Sequence, residues 1–185
     1  LDDAGFAQIY KAWLDSNGVL RFPCQELDDD KFLAFAKRFG ELDMAPINAN
    51  GKYWKPEYPQ LAVISNVTVD GVPIGSLGSH ESKWHADMSY NELPPKASIL
   101  YAIELPLEGG DTGYASTGAA YDALSDEMKE RIDGLTCKHD SSHNSVGQVR
   151  KGYQEVYENR DDVPGAVQSL VAEHPETGRK VIYLG

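Results

Sequence analysis

The chain reads as an α+β protein, with short strands forming a sandwich or barrel-like sheet and helices packed outside it. Three observations carry that expectation. Apolar residues recur at helical spacing near the N-terminus and again in the middle of the chain. Short apolar runs bounded by Gly, Pro or Asn recur between and after these segments. The chain shows no internal repeat and no linker, so its 185 residues read as one domain, long enough to bury a sizeable core.

In order, DDAGFAQIYKAWLDSNG (2–18) predicts a helix burying Phe6, Ile9, Tyr10, Trp13 and Leu14, with Asp2 or Asp3 at its start and Gly18 after its end. GVLRF (18–22) predicts a strand. DDDKFLAFAKRFG (28–40) predicts a second helix with Phe32, Phe35, Ala36 and Phe39 in the core, stopping at Gly40. Residues 45–60 are aperiodic, hold three prolines and carry Tyr53, Trp54 and Tyr58, which fits either a loop closing over a ligand or a solvated connection. LAVISNV (61–67), KWHADMSY (83–90) and ASILYAIEL (97–105) predict strands, and a Gly-rich turn region, 69–82, separates the first two. STGAAYDALSDEMKERIDG (116–134) predicts a helix broken near Ser125, which caps the second piece. LTCKHD (135–140), SLVAEHP (169–175) and the segment after a turn at Thr177-Gly178 complete the strands.

Composition excludes some functions. A net charge of −12 leaves no basic surface for a phosphate backbone, so nucleic acid is not an expected partner. No apolar run approaches the length of a membrane span, so no membrane is expected either. Two isolated cysteines, Cys24 and Cys137, fit a reduced, cytoplasmic protein rather than a disulfide scaffold.

The stretch SKWHADMSY (82–90) bears on chemistry. On a strand, His85 and Asp87 project to one side while Trp84, Ala86 and Met88 project to the core. The same His-x-acid spacing recurs at His174-Pro175-Glu176, but that copy runs into a turn. Two imidazoles and a carboxylate on one face of a metal make the ligand set of non-haem Fe(II) oxygenases. A hydrolytic zinc site draws on the same donors and is the chemical rival.

Four stretches, KRFGEL (37–42), WHADMSY (84–90), LPPKASILYAIELPLEGGDTGYASTGAAYDAL (93–124) and HPETGRKVIYLG (174–185), together resemble the TauD/TfdA family of Fe(II)- and 2-oxoglutarate-dependent dioxygenases; GLTCKHD (134–140) fits as well. The resemblance runs in order along nearly the whole chain. It implies a double-stranded β-helix (jelly-roll) core with flanking helices, and a single domain over 1–185 that is incomplete at its C-terminus. It makes His85 and Asp87 metal ligands with catalytic roles, and gives Thr112, in GGDT, a hydrogen bond to a carboxylate of 2-oxoglutarate. Fe(II), 2-oxoglutarate and O2 are the implied cofactor and co-substrates. The family's second iron histidine and its 2-oxoglutarate-binding arginine fall beyond Gly185, so a longer natural protein is expected.

The implied reaction hydroxylates an unactivated C–H of a small molecule and releases succinate and CO2. Halogenation is disfavoured, because the carboxylate of Asp87 is present. In the taurine branch a His and a Tyr after the FGEL-like segment contact the sulfonate; Ala45 and Asn48 occupy those places here. The Ser-Phe pair after the HD-like segment is matched by Asn144 and Ser145. Taurine is therefore not the expected substrate, and Asn48, His143 and Asn144 are the candidate substrate residues. Family members are often dimers or larger, so a homo-oligomer is implied. A zinc-dependent hydrolase and a non-catalytic jelly-roll binding module remain the alternatives.

Overall fold

Helix α1 (Asp3–Asp15) forms where the aromatic spacing places it. The Asp2 carboxylate accepts from the Gly5 N–H at 2.8 Å and caps its start. Past its end, Gly18 takes a φ of +87° that suits glycine, and the Trp13 indole donates to its carbonyl at 2.9 Å. Helix α2 (Asp29–Ala36) is capped the same way by Asp28, whose carboxylate accepts from the Lys31 N–H at 2.8 Å. The computed structural model describes residues 1–48, 50–78, 83–154 and 156–184. The end of the expected Gly-rich turn region, 79–82, lies outside the described residues.

The remaining elements are β1 (Ile64–Ser65), β2 (Thr68–Val69), β3 (Val72–Pro73), β4 (Ser76–Leu77), α3 (Thr117–Asp122), α4 (Asp126–Ile132), β5 (Thr136–Asp140), β6 (Gly165–Ser169), β7 (Val171–Glu173) and β8 (Lys180–Ile182), with one 3-10 turn at Arg160–Asp162. The strands pair two by two: β1 with β4 in parallel, β2 with β3 antiparallel, β5 with β6, and β7 with β8 antiparallel. The architecture is mixed helix and strand, with no closed barrel among the described residues. No helix among them is long and apolar enough to cross a membrane.

The chain divides into two units. The first comprises Leu1–Gly40, Lys96–Cys137 and Gln168–Leu184. Its centre is an aromatic cluster in which Phe39 meets Phe6, Tyr10, Trp13 and Phe35 with ring centroids 5.0 to 5.8 Å apart. These rings are half-buried rather than fully enclosed. Helices α3 and α4 are separate pieces, and Ser125 caps α4 by accepting from the Met128 N–H at 3.2 Å, as the sequence predicts. Arg179 donates to Asn17 at 2.6 Å and to Asp122 at 2.7 Å. Gly118, buried in α3, leaves room for that guanidinium: a Cβ there would lie 2.7 Å from the Arg179 Nε.

The second unit comprises Glu41–Pro95 and Lys138–Val167 among the described residues. Among its described residues the buried apolar side chains are Ala45 and Ala166, and the buried polar ones are Ser89, His139, Ser141 and Ser142. Turns and side-chain-to-backbone hydrogen bonds hold it. Gly165, at a φ of +124°, opens β6 where a Cβ would fall 1.9 Å from the His139 carbonyl oxygen.

Three expected strands do not form among the described residues. GVLRF (18–22) and ASILYAIEL (97–105) are irregular chain, and Leu100, Ile103 and Leu105 stay largely exposed. A strand exists only where a second backbone takes its N–H and C=O groups, and apolar composition cannot supply that partner. LAVISNV shrinks to the two residues of β1. KWHADMSY is not a strand: residues 87–90 form a turn and Met88 has a φ of +48°. Trp84, placed in the core by the alternating pattern, is 75% exposed.

Candidate functional site

His85 and Asp87 still face each other, by a route other than strand alternation. The His85 Nδ1 lies 2.6 Å from the Lys83 carbonyl oxygen, and its Nε2 lies 3.1 Å from Asp87 Oδ1. A carbonyl only accepts, so Nδ1 carries the proton and donates. Nε2 is left presenting a lone pair toward a carboxylate oxygen. Two lone pairs at that distance repel unless positive charge stands between them, as a proton or a metal ion. Adjacent ligands about 2.1 Å from one metal ion lie about 3 Å apart at a right angle, so the donors fit a shared divalent cation. Anchoring of the far imidazole nitrogen by a carbonyl is the usual support of a ligating histidine. Both side chains are partly open to solvent.

Among the described residues no cluster of three or more His, Cys, Asp or Glu is arranged to hold a metal. His85 and Asp87 thus offer two donors of the three such a site would need. His139 and His143 lie on the neighbouring stretch of the same unit, where His143 has a different engagement. Its Nδ1 contacts Asp140 Oδ2 at 3.0 Å and the Ser142 hydroxyl at 2.8 Å. Asp140 is the hub: its Oδ1 also accepts from the Ser142 N–H and hydroxyl, each at 2.6 Å. Burial pushes the Asp140 carboxyl up, but the Ser142 hydroxyl and N–H, with His143, outweigh it and hold the pKa below the ordinary aspartate value.

The other predicted site residues fall as follows. Asn48 Oδ1 accepts from the N–H groups of Asn50 at 2.9 Å and Lys52 at 3.1 Å, shaping the start of the 45–60 loop. The base of that loop is pinned by the Ala45 N–H donating to the Pro59 carbonyl at 2.9 Å. Asn144 Oδ1 accepts from the Val146 N–H at 3.2 Å and the Gln148 N–H at 2.8 Å. Thr112 belongs to the first unit. It is exposed in irregular chain just after Gly109 and Gly110, which take φ of +72° and +74°.

The sequence reading did not single out Lys83, Tyr90, Asp140 or Arg150. Arg150 Nη1 donates to the Tyr90 hydroxyl at 2.6 Å, and its guanidinium lies 4.5 Å from that ring centroid. The spacing Asp140-x-x-His143 was the one available signal for the second cluster. Nothing in the sequence marks a backbone carbonyl as the anchor of an imidazole.

The profile described as "Taurine catabolism dioxygenase TauD, TfdA family" matches residues 1–185. An (S)-phenoxypropionate/alpha-ketoglutarate-dioxygenase of Sphingobium herbicidovorans is 34% identical over all of this chain and 63% of its own length. An alpha-ketoglutarate-dependent 2,4-dichlorophenoxyacetate dioxygenase of a Burkholderia species is 34% identical over 93% of this chain and 59% of its own length. A pentalenolactone F synthase of Streptomyces arenae is 27% identical over all of this chain and 64% of its own length. The chain thus spans about three-fifths of the length of these relatives. The match over residues 1–185 shows that the chain belongs to the TauD/TfdA family.

Proposed function

We propose that the protein of which this chain is part is an Fe(II)- and 2-oxoglutarate-dependent dioxygenase that hydroxylates a small carboxylic acid rather than the sulfonate taurine. The observation that carries the reading is the His85–Asp87 pair, 3.1 Å apart, within a chain that matches the family from end to end. When bound, the iron with 2-oxoglutarate and O2 supplies the oxidising power for C–H cleavage, with succinate and CO2 released. His85 and Asp87 hold the metal, and the Lys83 carbonyl keeps the imidazole proton on Nδ1 so that Nε2 can ligate. Thr112 donates its hydroxyl to a carboxylate of 2-oxoglutarate. The names of the phenoxypropionate and 2,4-dichlorophenoxyacetate relatives favour an aryloxy or similar carboxylate as substrate.

His143 is the substrate contact this geometry favours, because Asp140 fixes its ring through Nδ1. The side-chain carbonyls of Asn48 and Asn144 are engaged in their own turns. A completed double-stranded β-helix would give the exposed run 97–105 its partners; the expected single domain and homo-oligomer belong to the same reading. The test is succinate release by the full-length protein with Fe(II), ascorbate, 2-oxoglutarate and a panel of aryloxy acids. Asp87→Ala is expected to abolish both metal binding and turnover; undiminished succinate release in that variant would refute the assignment. Retention of zinc with no need for 2-oxoglutarate would support a hydrolase instead.

A further inference from the structure

The loop carrying His85 and Asp87 is held at both ends by one hairpin of the same unit. Residues 143–150 turn back on themselves, with His143 and Val149 forming an antiparallel bridge. The turn is built by Asn144. Its N–H donates to the Gln148 carbonyl at 2.9 Å, its carbonyl accepts from the Gly147 N–H at 2.9 Å, and its Oδ1 accepts from Val146 and Gln148. Gly147 takes a φ of +80°, which closes the turn.

Two latches join this hairpin to the metal-ligand loop. At the turn, the Ser145 carbonyl accepts from the Lys83 N–H at 2.9 Å. At the base, Arg150 donates through Nε to the His143 carbonyl at 3.1 Å and through Nη1 to the Tyr90 hydroxyl at 2.6 Å. The first latch reaches the site directly, because the Lys83 carbonyl receives the His85 Nδ1 proton at 2.6 Å. A displaced turn therefore moves the Lys83 backbone, whose carbonyl orients the imidazole.

We propose that the 143–150 hairpin is a positioning element that fixes both ends of the 83–90 loop and so keeps His85 and Asp87 face to face, with Asn144 acting through this turn rather than on substrate. The inference rests on the iron reading above, since the positioning matters only if these two residues bind metal. It assigns Asn144, Arg150 and Tyr90 one shared task. Asn144 uses its side chain chiefly as an acceptor of backbone N–H groups, which an aspartate can do equally well.

The test is Co(II) titration of the full-length protein, followed by affinity and by visible absorption, which reports the coordination geometry. Asn144→Ala and Arg150→Met are each expected to weaken Co(II) binding about tenfold, the scale of lost outer support at metal sites, and to alter the spectrum. Tyr90→Phe, which keeps the ring and loses the hydroxyl, falls between them and wild type. Asn144→Asp is expected to restore wild-type affinity. Thermal melts identify any variant that does not fold; if Asn144→Ala is one, Arg150→Met and Tyr90→Phe decide. Unchanged affinity and spectrum in the folded variants, with binding lost in His85→Ala and Asp87→Ala, would overturn the positioning role and leave the iron reading intact. Undiminished Co(II) binding in His85→Ala and Asp87→Ala would overturn both.

Discussion

The aromatic cluster of the first unit and the hairpin network of the second hold structure together by different means. Around Phe39, rings from α1 and α2 pack edge to face and no single hydrogen bond decides the arrangement. Around Asp140 and Asn144 the buried apolar side chains among the unit's described residues are two alanines, and position is set by backbone N–H groups on carboxylate and amide oxygens. The first kind of order is distributed and tolerant. The second depends on a few atoms and on backbone angles that only certain residues adopt. Metal ligands need the second kind, because tenths of an ångström matter to a donor atom.

That contrast can be broken or sharpened by substitution. The largest effect is expected in the polar unit from the addition of one methyl. Gly165→Ala places a Cβ 1.9 Å from the His139 carbonyl oxygen at a φ of +124°, so the backbone must move. A loss of about 3 kcal/mol or more is expected from the urea midpoint. Phe39→Ala deletes a whole ring from the aromatic unit, yet the site is half-buried and its neighbours can close in, so about 2 kcal/mol is expected. If Phe39→Ala proves costlier than Gly165→Ala, the contrast between distributed and pointwise order fails.

Smaller effects refine it. Ser125→Ala removes the cap of α4 and is expected to cost about 1 kcal/mol, with helix content otherwise kept by circular dichroism. The Asp140 carboxyl, held below its ordinary value of 3.8, contributes stability that is present above that pH and lost as pH falls through the lower folded value. Its partial exposure limits this to under about 1 kcal/mol. Acid below about pH 4 should therefore loosen the 140–150 segment, read by amide exchange, and Asp140→Asn should remove that acid step.

The same contrast explains what could be read from the amino-acid order. Helix positions, caps and the break at Ser125 were legible because each is written locally: a ring every third or fourth residue, a serine or aspartate before it, a glycine after it. The pairing of His85 with Asp87 was legible as a spacing, but the conformation inferred from it was not. An alternating pattern and a turn both bring i and i+2 together, and the turn is taken here because the Lys83 N–H bonds to Ser145, sixty-odd residues away. Such long-range backbone bonds leave no trace in residue type. Strands at 18–22 and 97–105 failed for a related reason, since apolar composition marks a willingness to pair and not the presence of a partner.

Residue 83 takes part through its main chain, with its N–H given to one neighbour and its C=O taken by another. The lysine side chain enters neither bond. Proline, the imino acid that has no hydrogen to give, should thus be refused there, because it breaks the bond to Ser145. In a scan of replacements at 83, proline should then stand apart from the rest, the mark of a residue whose backbone N–H and C=O both work.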